Sequence, residues 1–272
     1  MAALKSLRSK FRGKFAGFAA LALALACALF LAASARADEI KVATSGGFTA
    51  AYQQLAPQYE SSTHNKLVTM FGPSMGTMHD AIPNRLERGE DIDVVILAGP
   101  ALDDLIKKGK VRADSRVDLV KSYIALAVKA GAPHPDISSV EALKRTLLAA
   151  KSIAYSDSAS GVYLSTELFP KLGIADQIKG KSKMIPADPV GGVVATGEFE
   201  IGFQQISELK PVKGIEIVAP LPPGAQRITV FAAGVPATSK HPEAAKALIE
   251  WLASPAAYAA IRKSGLEPAN AK

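Results

Sequence analysis

Two kinds of segment alternate along most of this chain, and their alternation limits the folds that it can adopt. Short runs rich in β-branched residues are followed by longer windows in which apolar residues recur every three or four positions. The short runs are typical of buried strands, and the longer windows are typical of amphipathic helices. Strands that alternate with helices predict an α/β protein with mostly parallel sheets.

The pattern predicts eight strands and eight helices within the 235 residues that follow Ala37, a length that suits one large domain or two small ones. The predicted strands are Ile40–Ala43, Leu67–Phe71, Val94–Leu97, Tyr123–Val128, Ser152–Tyr155, Ile201–Phe203, Ile215–Val218 and Ile228–Ala233. The predicted helices are Thr49–Glu60, Thr77–Arg88, Ala101–Lys108, Val140–Ala149, Gly161–Leu172, Val190–Thr196, Pro242–Leu252 and Pro255–Lys263.

The first 37 residues differ from the rest of the chain. Basic residues precede an uncharged stretch rich in alanine and leucine, Phe15 to Ala33, and Ala35-Arg36-Ala37 follows it. This order predicts a secretory signal peptide cleaved near Ala37. A membrane anchor is the competing reading, because the uncharged stretch is about long enough to span a bilayer, but the small-residue site favours cleavage. We therefore expect a periplasmic protein with no stable membrane anchor and, since Cys27 lies in the leader, no thiol.

The net charge of +7 comes almost entirely from this leader, which holds six of the 32 basic residues and none of the 25 acidic ones. The mature chain keeps 26 basic and 25 acidic residues, a net charge of +1. A protein that binds nucleic acid carries a basic patch, whereas here the two signs alternate along the sequence. Nucleic acid is therefore excluded as a partner.

Three predicted strand-to-helix junctions combine hydroxyl groups with glycine. They are Ser45-Gly46-Gly47-Phe48-Thr49, Gly72-Pro73-Ser74-Met75-Gly76-Thr77 and Ser156-Asp157-Ser158-Ala159-Ser160-Gly161. In α/β folds ligands bind beyond the carboxyl ends of strands, where the next helix presents unpaired N–H groups. Helix capping by serine or threonine is the alternative reading, but three such junctions in one chain favour a site for a small anion. The glycine spacing matches neither a dinucleotide fingerprint nor a P-loop.

Four longer runs follow one another along the chain: "FGPSMGTMHDAIPNRLERGEDIDVVILAG", "IAYSDSASGVYLSTEL", "GEFEIGFQQISEL" and "AAKALIEWLASPAAYAAIRKSGLEP". In this order they resemble the periplasmic molybdate-binding protein family. The resemblance implies the type II solute-binding fold, in which two α/β lobes joined by two crossing strands close on a ligand. It implies residues 38–117 and 231–272 in lobe one and 118–230 in lobe two. A monomer, with an ABC permease as a possible partner, is the corresponding expectation.

The resemblance also implies a set of ligand-binding residues. The two serines of the family fall on Ser45 and Ser74, an alanine of the family falls on Ser160, a backbone donor falls near Val190, and a tyrosine falls on Gln205. The complete predicted set is Ser45, Gly46, Gly47, Thr49, Ser74, Gly76, Thr77, Ser158, Ser160, Gly161, Tyr163, Val190, Gln204, Gln205 and Arg85.

A hydroxyl at Ser160 and an amide at Gln205 change the donor and acceptor pattern beyond what a compact tetrahedral anion requires. They favour a larger molecule that carries carboxylates. The stretches "TSGGFTAAY", "YSDSASGVY" and "GFQQ" are similar to the aconitate isomerase branch of this fold. That similarity implies interconversion of cis- and trans-aconitate by an allylic proton shift without a cofactor. The alternative is a solute-binding protein that hands molybdate, or another small oxyanion or carboxylate, to an ABC transporter, and fold alone does not separate the two.

A proton shift needs a general base, and the sequence offers His79 and Tyr163 as candidates. His79 on its predicted helix faces either the cleft or solvent, and Tyr163 either contacts the ligand or packs within its own lobe. Asp157 is interpreted as a helix cap and Glu208 as a surface charge. Arg85 and Arg227 are candidates to pair with a ligand carboxylate, although exposed arginines are commoner.

Other kinds of site find no support in the sequence. The four histidines are scattered singly, and no paired carboxylates have metal-ligand spacing, so no metal site is predicted. The chain also lacks the Gly-x-Ser-x-Gly motif of a hydrolase.

Overall fold

Two β-sheets face a common cavity, and the chain passes between them twice. The computed structural model describes residues 38–186 and 189–271. The predicted signal peptide and Cys27 lie outside these residues. No helix in the described part of the chain combines the length and the apolar character that crossing a bilayer would require.

The strands and helices are as follows. The strands are β1 (Glu39–Thr44), β2 (Lys66–Phe71), β3 (Val94–Ala98), β4 (Val117–Ser122), β5 (Ile124–Lys129), β6 (Ile153–Ser156), β7 (Ser182–Ile185), β8 (Ile201–Gln205), β9 (Ile215–Pro220), β10 (Thr229–Gly234) and β11 (Glu267–Pro268). The helices are α1 (Gly46–Thr63), α2 (Ile82–Glu87), α3 (Gly99–Lys107), α4 (Val140–Ala149), α5 (Ala159–Tyr163), α6 (Phe169–Lys171), α7 (Ala175–Ile178), α8 (Val190–Thr196), α9 (Ile206–Leu209), α10 (Pro242–Leu252) and α11 (Tyr258–Lys263). A π-helical turn, Leu164–Leu168, joins α5 to α6.

The first sheet has the strand order β11-β4-β10-β3-β1-β2, and the second has the order β7-β6-β8-β5-β9. The predicted two-sheet α/β fold is confirmed. Strands β1, β2 and β3 run parallel, as do β6, β7 and β8, whereas β10 is antiparallel to β3 and β4, and β5 is antiparallel to β8 and β9. Parallel pairing is confined to these two groups of three strands, and β4, β5, β9, β10 and β11 pair antiparallel with their neighbours, so that each sheet is mixed.

Each sheet is covered by helices on both of its faces. Strand β3 is buried along its whole length, as its continuous apolar sequence requires of a central strand. On one face of the first sheet, Phe48, Tyr52 and Leu55 of α1 pack with α10 and α11. The other face packs against α2 and α3. Because β1, β3 and α1 are fixed in this core, the β1–α1 junction has a defined position.

The predicted lobe boundaries fall inside two strands of the first sheet. Residue 117 begins β4 and residue 230 lies within β10, and both strands pair in that sheet. The chain passes between the sheets at Tyr123, which alone separates β4 from β5, and at residues 221–228, which separate β9 from β10.

The helix predicted for Thr77–Arg88 begins only at Ile82. Pro83 lies in the first turn of α2, where its missing N–H needs no partner. Residues 72–81 form turns and irregular backbone. The placement of His79 on a helix is therefore wrong.

Candidate functional site

A cavity of about 380 Å³ lies between the two sheets, within the size range of small-molecule sites. Its walls come from the segments that follow β1 and β2 in the first sheet and from the ends of β6 and β8 in the second. These are the carboxyl ends of strands, the edge at which ligands bind in α/β sheets. Eight of the predicted ligand-binding residues line the cavity: Ser45, Gly46, Gly47, Thr49, Ser74, Ser158, Gln204 and Gln205.

Ser45 presents an unused hydroxyl to the cavity. The residue has extended backbone between β1 and α1, and its side chain makes no capping hydrogen bond. Its Oγ is buried without a hydrogen-bond partner, although the residue lines the cavity. Thr49, by contrast, donates its hydroxyl to the Ser45 carbonyl at 3.1 Å. Since a buried hydroxyl without a partner is unfavourable, Ser45 is placed to donate to a ligand.

Replacing Ser45 with alanine is expected to weaken ligand binding without weakening the fold. A hydrogen bond to a charged group contributes about 1.5–3 kcal/mol, so Kd for a carboxylate ligand should rise about 10- to 150-fold. The free energy of unfolding should stay unchanged or rise, because no internal bond is lost. Calorimetric titration and urea unfolding would measure the two effects. A destabilised variant that binds this ligand normally would contradict this role.

Ser74 lines the cavity from the β2–α2 segment. Its Oγ accepts a hydrogen bond from the Ala98 backbone N–H at 2.9 Å, and the residue is buried. The hydroxyl hydrogen therefore remains available for a ligand atom. Ser74→Ala should differ from Ser45→Ala in its effect on stability, since it leaves the Ala98 N–H without its acceptor and should lower the free energy of unfolding by about 1–2 kcal/mol.

The third junction forms a cluster of serine side chains at the end of β6. Ser156 Oγ lies 3.1 Å from Ser158 Oγ and 3.0 Å from Ser160 Oγ. Ser156 and Ser158 line the cavity, whereas Ser160 is fully buried behind them. Ser160 is therefore not among the residues that line the cavity, and its hydroxyl contacts Ser156.

Gly46 and Gly47 allow two side chains of the protein to pack closely against the backbone of α1. A Cβ at Gly46 would lie 2.3 Å from Glu208 Oε1, and a Cβ at Gly47 would lie 2.0 Å from the Phe231 ring. Both contacts join α1 to elements distant in sequence. Gly161, at the third junction, lies outside the cavity and packs against the backbone of Ser156. A Cβ added to Gly161 would lie 1.6 Å from the Ser156 carbonyl oxygen.

The two glutamines of "GFQQ" line the cavity, but both ends of the Gln205 amide are hydrogen-bonded within the protein. Its Oε1 accepts from Ser122 Oγ at 2.8 Å, and its Nε2 donates to Thr229 Oγ1 at 3.0 Å. The Val190 backbone N–H donates to Gln204 Oε1 at 2.9 Å. The prediction that Val190 donates to the ligand is therefore not supported, since this N–H is used to hold Gln204.

The two predicted catalytic residues lie away from the cavity lining. His79 is exposed. Tyr163 is buried in the core of the second sheet, where its hydroxyl donates to the Ala225 carbonyl at 3.0 Å. Burial also raises the pKa of the Tyr163 phenol, which makes it a poorer acid near neutral pH.

The remaining predicted residues are also outside the cavity. Gly76 and Thr77 are exposed on the segment before α2. Arg85 pairs with Glu90 at 2.8 Å, and Arg227 pairs with Glu167. Both guanidinium groups are therefore neutralised within the protein and do not line the site.

Three carboxylates line the cavity: Asp80, Asp157 and Glu208. Among the described lining residues there is no lysine, arginine or histidine. The interpretation of Glu208 as a surface charge is wrong, because its carboxyl lies at the first turn of α1 inside the cavity. Asp157 precedes the N-cap position of α5, which Ser158 occupies, so it is not the residue that caps this helix.

The pKa of Glu208 is raised to about 7, mainly by burial; a hydrogen bond from Gln204 acts to lower it, and the nearby negative charge of Asp157 acts to raise it. A carboxyl with such a pKa can both accept and donate a proton near neutral pH. The sequence signal that could have identified it is the position of "ISEL" directly after β8, at the same sheet edge as the predicted junctions. Within the described residues, no three His, Cys, Asp or Glu side chains are grouped so that they could hold a metal ion.

A family model described as bacterial extracellular solute-binding protein matches residues 40–267. An aconitate isomerase from a Pseudomonas species is 52% identical over 233 residues, which cover 86% of this chain and 89% of the relative. The molybdate-binding protein ModA from Azotobacter vinelandii is 28% identical over 86% of this chain and 92% of its own.

Solved structures show the same fold at lower sequence identity. The periplasmic molybdate-binding protein from Azotobacter vinelandii superposes with a TM-score of 0.67 at 20% identity, covering 84% of this chain and 98% of that one. At this identity the similarity concerns the fold alone.

Proposed function

Because this chain belongs to the family of bacterial extracellular solute-binding proteins, we propose that it is an aconitate isomerase, which binds a small polycarboxylate between its two sheets and interconverts cis- and trans-aconitate. The observation that carries this proposal is the similarity to an aconitate isomerase over most of both chains. The cavity adds physical support, since its volume suits a molecule of this size and its lining combines hydroxyl donors with a titratable carboxyl.

Ligand carboxylates are held by neutral donors in this proposal. The hydroxyls of Ser45 and Ser74 and the N-terminus of α1 face the same space, and α1 has no acidic residue of its own in its first turn. A helix of 18 residues presents unpaired N–H groups and a partial positive charge at that end. These groups can accept a carboxylate without a lysine or an arginine.

The reaction moves one proton and one double bond. Aconitate carries a methylene group beside a carbon–carbon double bond, and removal of a methylene proton leaves a negative charge spread over three carbons and a carboxylate. Return of the proton to the other end of this allyl unit yields the second isomer. Donors aimed at the carboxylate lower the barrier, because they stabilise the charge that develops there.

The place of action and the partners follow from the same proposal. We place the mature protein in the periplasm, as a monomer, after cleavage of its leader near Ala37. The second candidate function is a receptor that delivers an oxyanion or a carboxylate to an ABC permease, and the family and fold favour it. A receptor returns its ligand unchanged, whereas an isomerase does not.

Proton NMR of trans-aconitate with the purified mature protein in deuterated water separates these functions. We expect cis-aconitate to form, with deuterium in the methylene group of the substrate or product, and the reverse conversion when cis-aconitate is supplied. Protein-free samples control for spontaneous isomerisation. Binding of trans-aconitate without any isomerisation would favour the receptor, and tight molybdate binding without aconitate binding would exclude both roles for a polycarboxylate.

A further inference from the structure

We infer that Glu208 is the general base that removes the methylene proton of aconitate and then returns it, as an acid, to the other end of the allyl unit. This inference rests on the proposed function and names a catalytic residue for it. The chain provides no sequence motif for such a base, and the assignment depends on where the structure places the carboxyl.

The position of Glu208 is the first observation. Glu208 belongs to the short helix α9, which directly follows β8 of the second sheet. Its Oε1 packs on Gly46, in the first turn of α1 beyond β1 of the first sheet. The carboxyl therefore lies at the cavity wall where α9 of the second sheet meets α1 of the first, beside the helix end that is proposed to hold a substrate carboxylate.

The neighbouring residue Ser207 fixes this arrangement. Its hydroxyl donates to the Gly47 carbonyl at 2.8 Å, and Ser207 is buried. This hydrogen bond joins Ser207 to Gly47, the immediate neighbours of Glu208 and Gly46, and so connects α9 to α1 beside their contact. The position of the Glu208 carboxyl is thus fixed by contacts of α9 with α1.

The amide of Gln204 supplies a second contact to the carboxyl. Its Oε1 is occupied by the Val190 N–H, so its Nε2 is the end that is left to donate. Gln204 hydrogen-bonds Glu208 and thereby favours the carboxylate form, in opposition to the effect of burial. Both protonation states of Glu208 are consequently accessible near neutral pH, as a group that takes and returns a proton requires.

The other two carboxylates of the cavity differ from Glu208 in their surroundings. Asp157 belongs to the β6–α5 junction, and its charge raises the pKa of Glu208. Asp80 lies on the segment between β2 and α2, and its Oδ1 is buried without a hydrogen-bond partner. The Glu208 carboxyl packs against Gly46 in the first turn of α1, so it is held at the helix end that is proposed to bind a substrate carboxylate.

The chemical step balances without any further reactant. The Glu208 carboxylate forms an O–H bond as the methylene C–H bond breaks, and the electron pair enters the allyl system. The O–H bond then breaks as a new C–H bond forms at the former vinyl carbon, and the double bond moves by one position. Ser45, Ser74 and the α1 N-terminus face the carboxylates over which the transient charge spreads.

The test compares wild-type protein with Glu208→Gln, which keeps the shape and removes the base. We expect kcat to fall about 1,000-fold, within the range typical of general acid–base catalysis, while calorimetry still detects trans-aconitate binding. Exchange of the substrate methylene hydrogens with deuterated water should be lost together with isomerisation. Glu208→Asp should regain at least tenfold over the amide, and Glu198→Gln, at an exposed position, should behave as wild type.

The dependence of kcat/KM on pH tests the catalytic role of Glu208, because a residue with a purely structural role would not set the pH at which kcat/KM rises. In wild type, kcat/KM should rise as pH increases through about 7, because the base must be ionised. Asp157→Asn removes a negative charge near Glu208 and should shift this rise toward lower pH. A profile that Asp157→Asn leaves in place would count against the assignment.

Two outcomes overturn the inference in distinguishable ways. If the wild type isomerises aconitate and Glu208→Gln retains more than a tenth of its kcat, or binds the substrate and still exchanges its methylene hydrogens, another group is the base. If the folded wild type binds trans-aconitate but neither isomerises nor exchanges it, the proposed function itself fails, and the role of Glu208 fails with it.

Discussion

Replacing Gly161 with alanine is expected to destabilise the protein by about 3 kcal/mol. The added Cβ would lie 1.6 Å from the carbonyl oxygen of Ser156, a backbone atom that cannot rotate away. Overpacking of this kind commonly costs about 1–3 kcal/mol and more where the backbone must move. The start of α5 would have to separate from the end of β6, and Ser156 and Ser158 would leave their places in the cavity wall. Ligand affinity should therefore fall along with stability.

Gly192→Ala provides the matched control. Gly192 lies in α8, and no heavy atom outside its chain neighbours and the backbone of its own helix comes within 4 Å of the place where its Cβ would be. Alanine at an exposed helical position should raise stability by up to about 1 kcal/mol. Urea unfolding of the two variants and the wild type, followed by circular dichroism, would measure the difference. A Gly161→Ala protein within about 0.5 kcal/mol of wild type would contradict the close packing of this junction.

Replacing Glu208 with glutamine is expected to stabilise the protein at alkaline pH by about 3 kcal/mol. The folded pKa of about 7 is raised above the usual 4.5, mainly by burial, so the folded state disfavours the ionised form. Stability contributed by the protonated carboxyl is fully present below pH 4.5 and is lost as pH rises toward and through 7. One pKa unit corresponds to about 1.4 kcal/mol, which sets the size of the effect. The amide does not ionise and avoids this loss.

Unfolding free energies at pH 4.5, 6, 7 and 8 would measure this effect. The advantage of Glu208→Gln over wild type should be absent at pH 4.5, grow between 4.5 and 7, and become constant at higher pH. Glu198→Gln, at an exposed position, should show no such pH-dependent gain. Parallel curves for wild type and Glu208→Gln across this range would show that the folded pKa of Glu208 is not raised.

Local sequence patterns were sufficient to predict the longer elements and the position of the site. Helices α4, α8 and α10 have the bounds that their apolar periodicity and flanking residues predict. The hydroxyl residues at the ends of β1 and β6, together with the two glycines that follow β1, do meet in one cavity, because the carboxyl ends of these strands face each other across it. Strand β4 was not predicted, because Asp118 and Lys121 interrupt its apolar run. The short strands β7 and β11 carry too little pattern to be recognised.

The roles of single residues depended on contacts between distant parts of the chain. Gln205 was correctly placed at the cavity, but its two hydrogen-bond partners lie on β4 and β10, and the first of these strands was not predicted. Glu208 lies on a helix of four residues, which is too short for a periodic signal. Its burial depends on the approach of Gly46, far away in sequence. The position of "ISEL" directly after β8 indicates the sheet edge, but not that the Glu208 side chain is buried there.

The three carboxylates of the cavity wall, with no basic side chain among the described lining residues, bear on the speed of ligand capture. A polyanion that enters such a space gains no electrostatic steering from the walls, and like charges oppose its approach. Added salt shortens the Debye length and so weakens this repulsion. Association of aconitate would then be no slower at high ionic strength than at low, the reverse of the behaviour of an arginine-lined anion site.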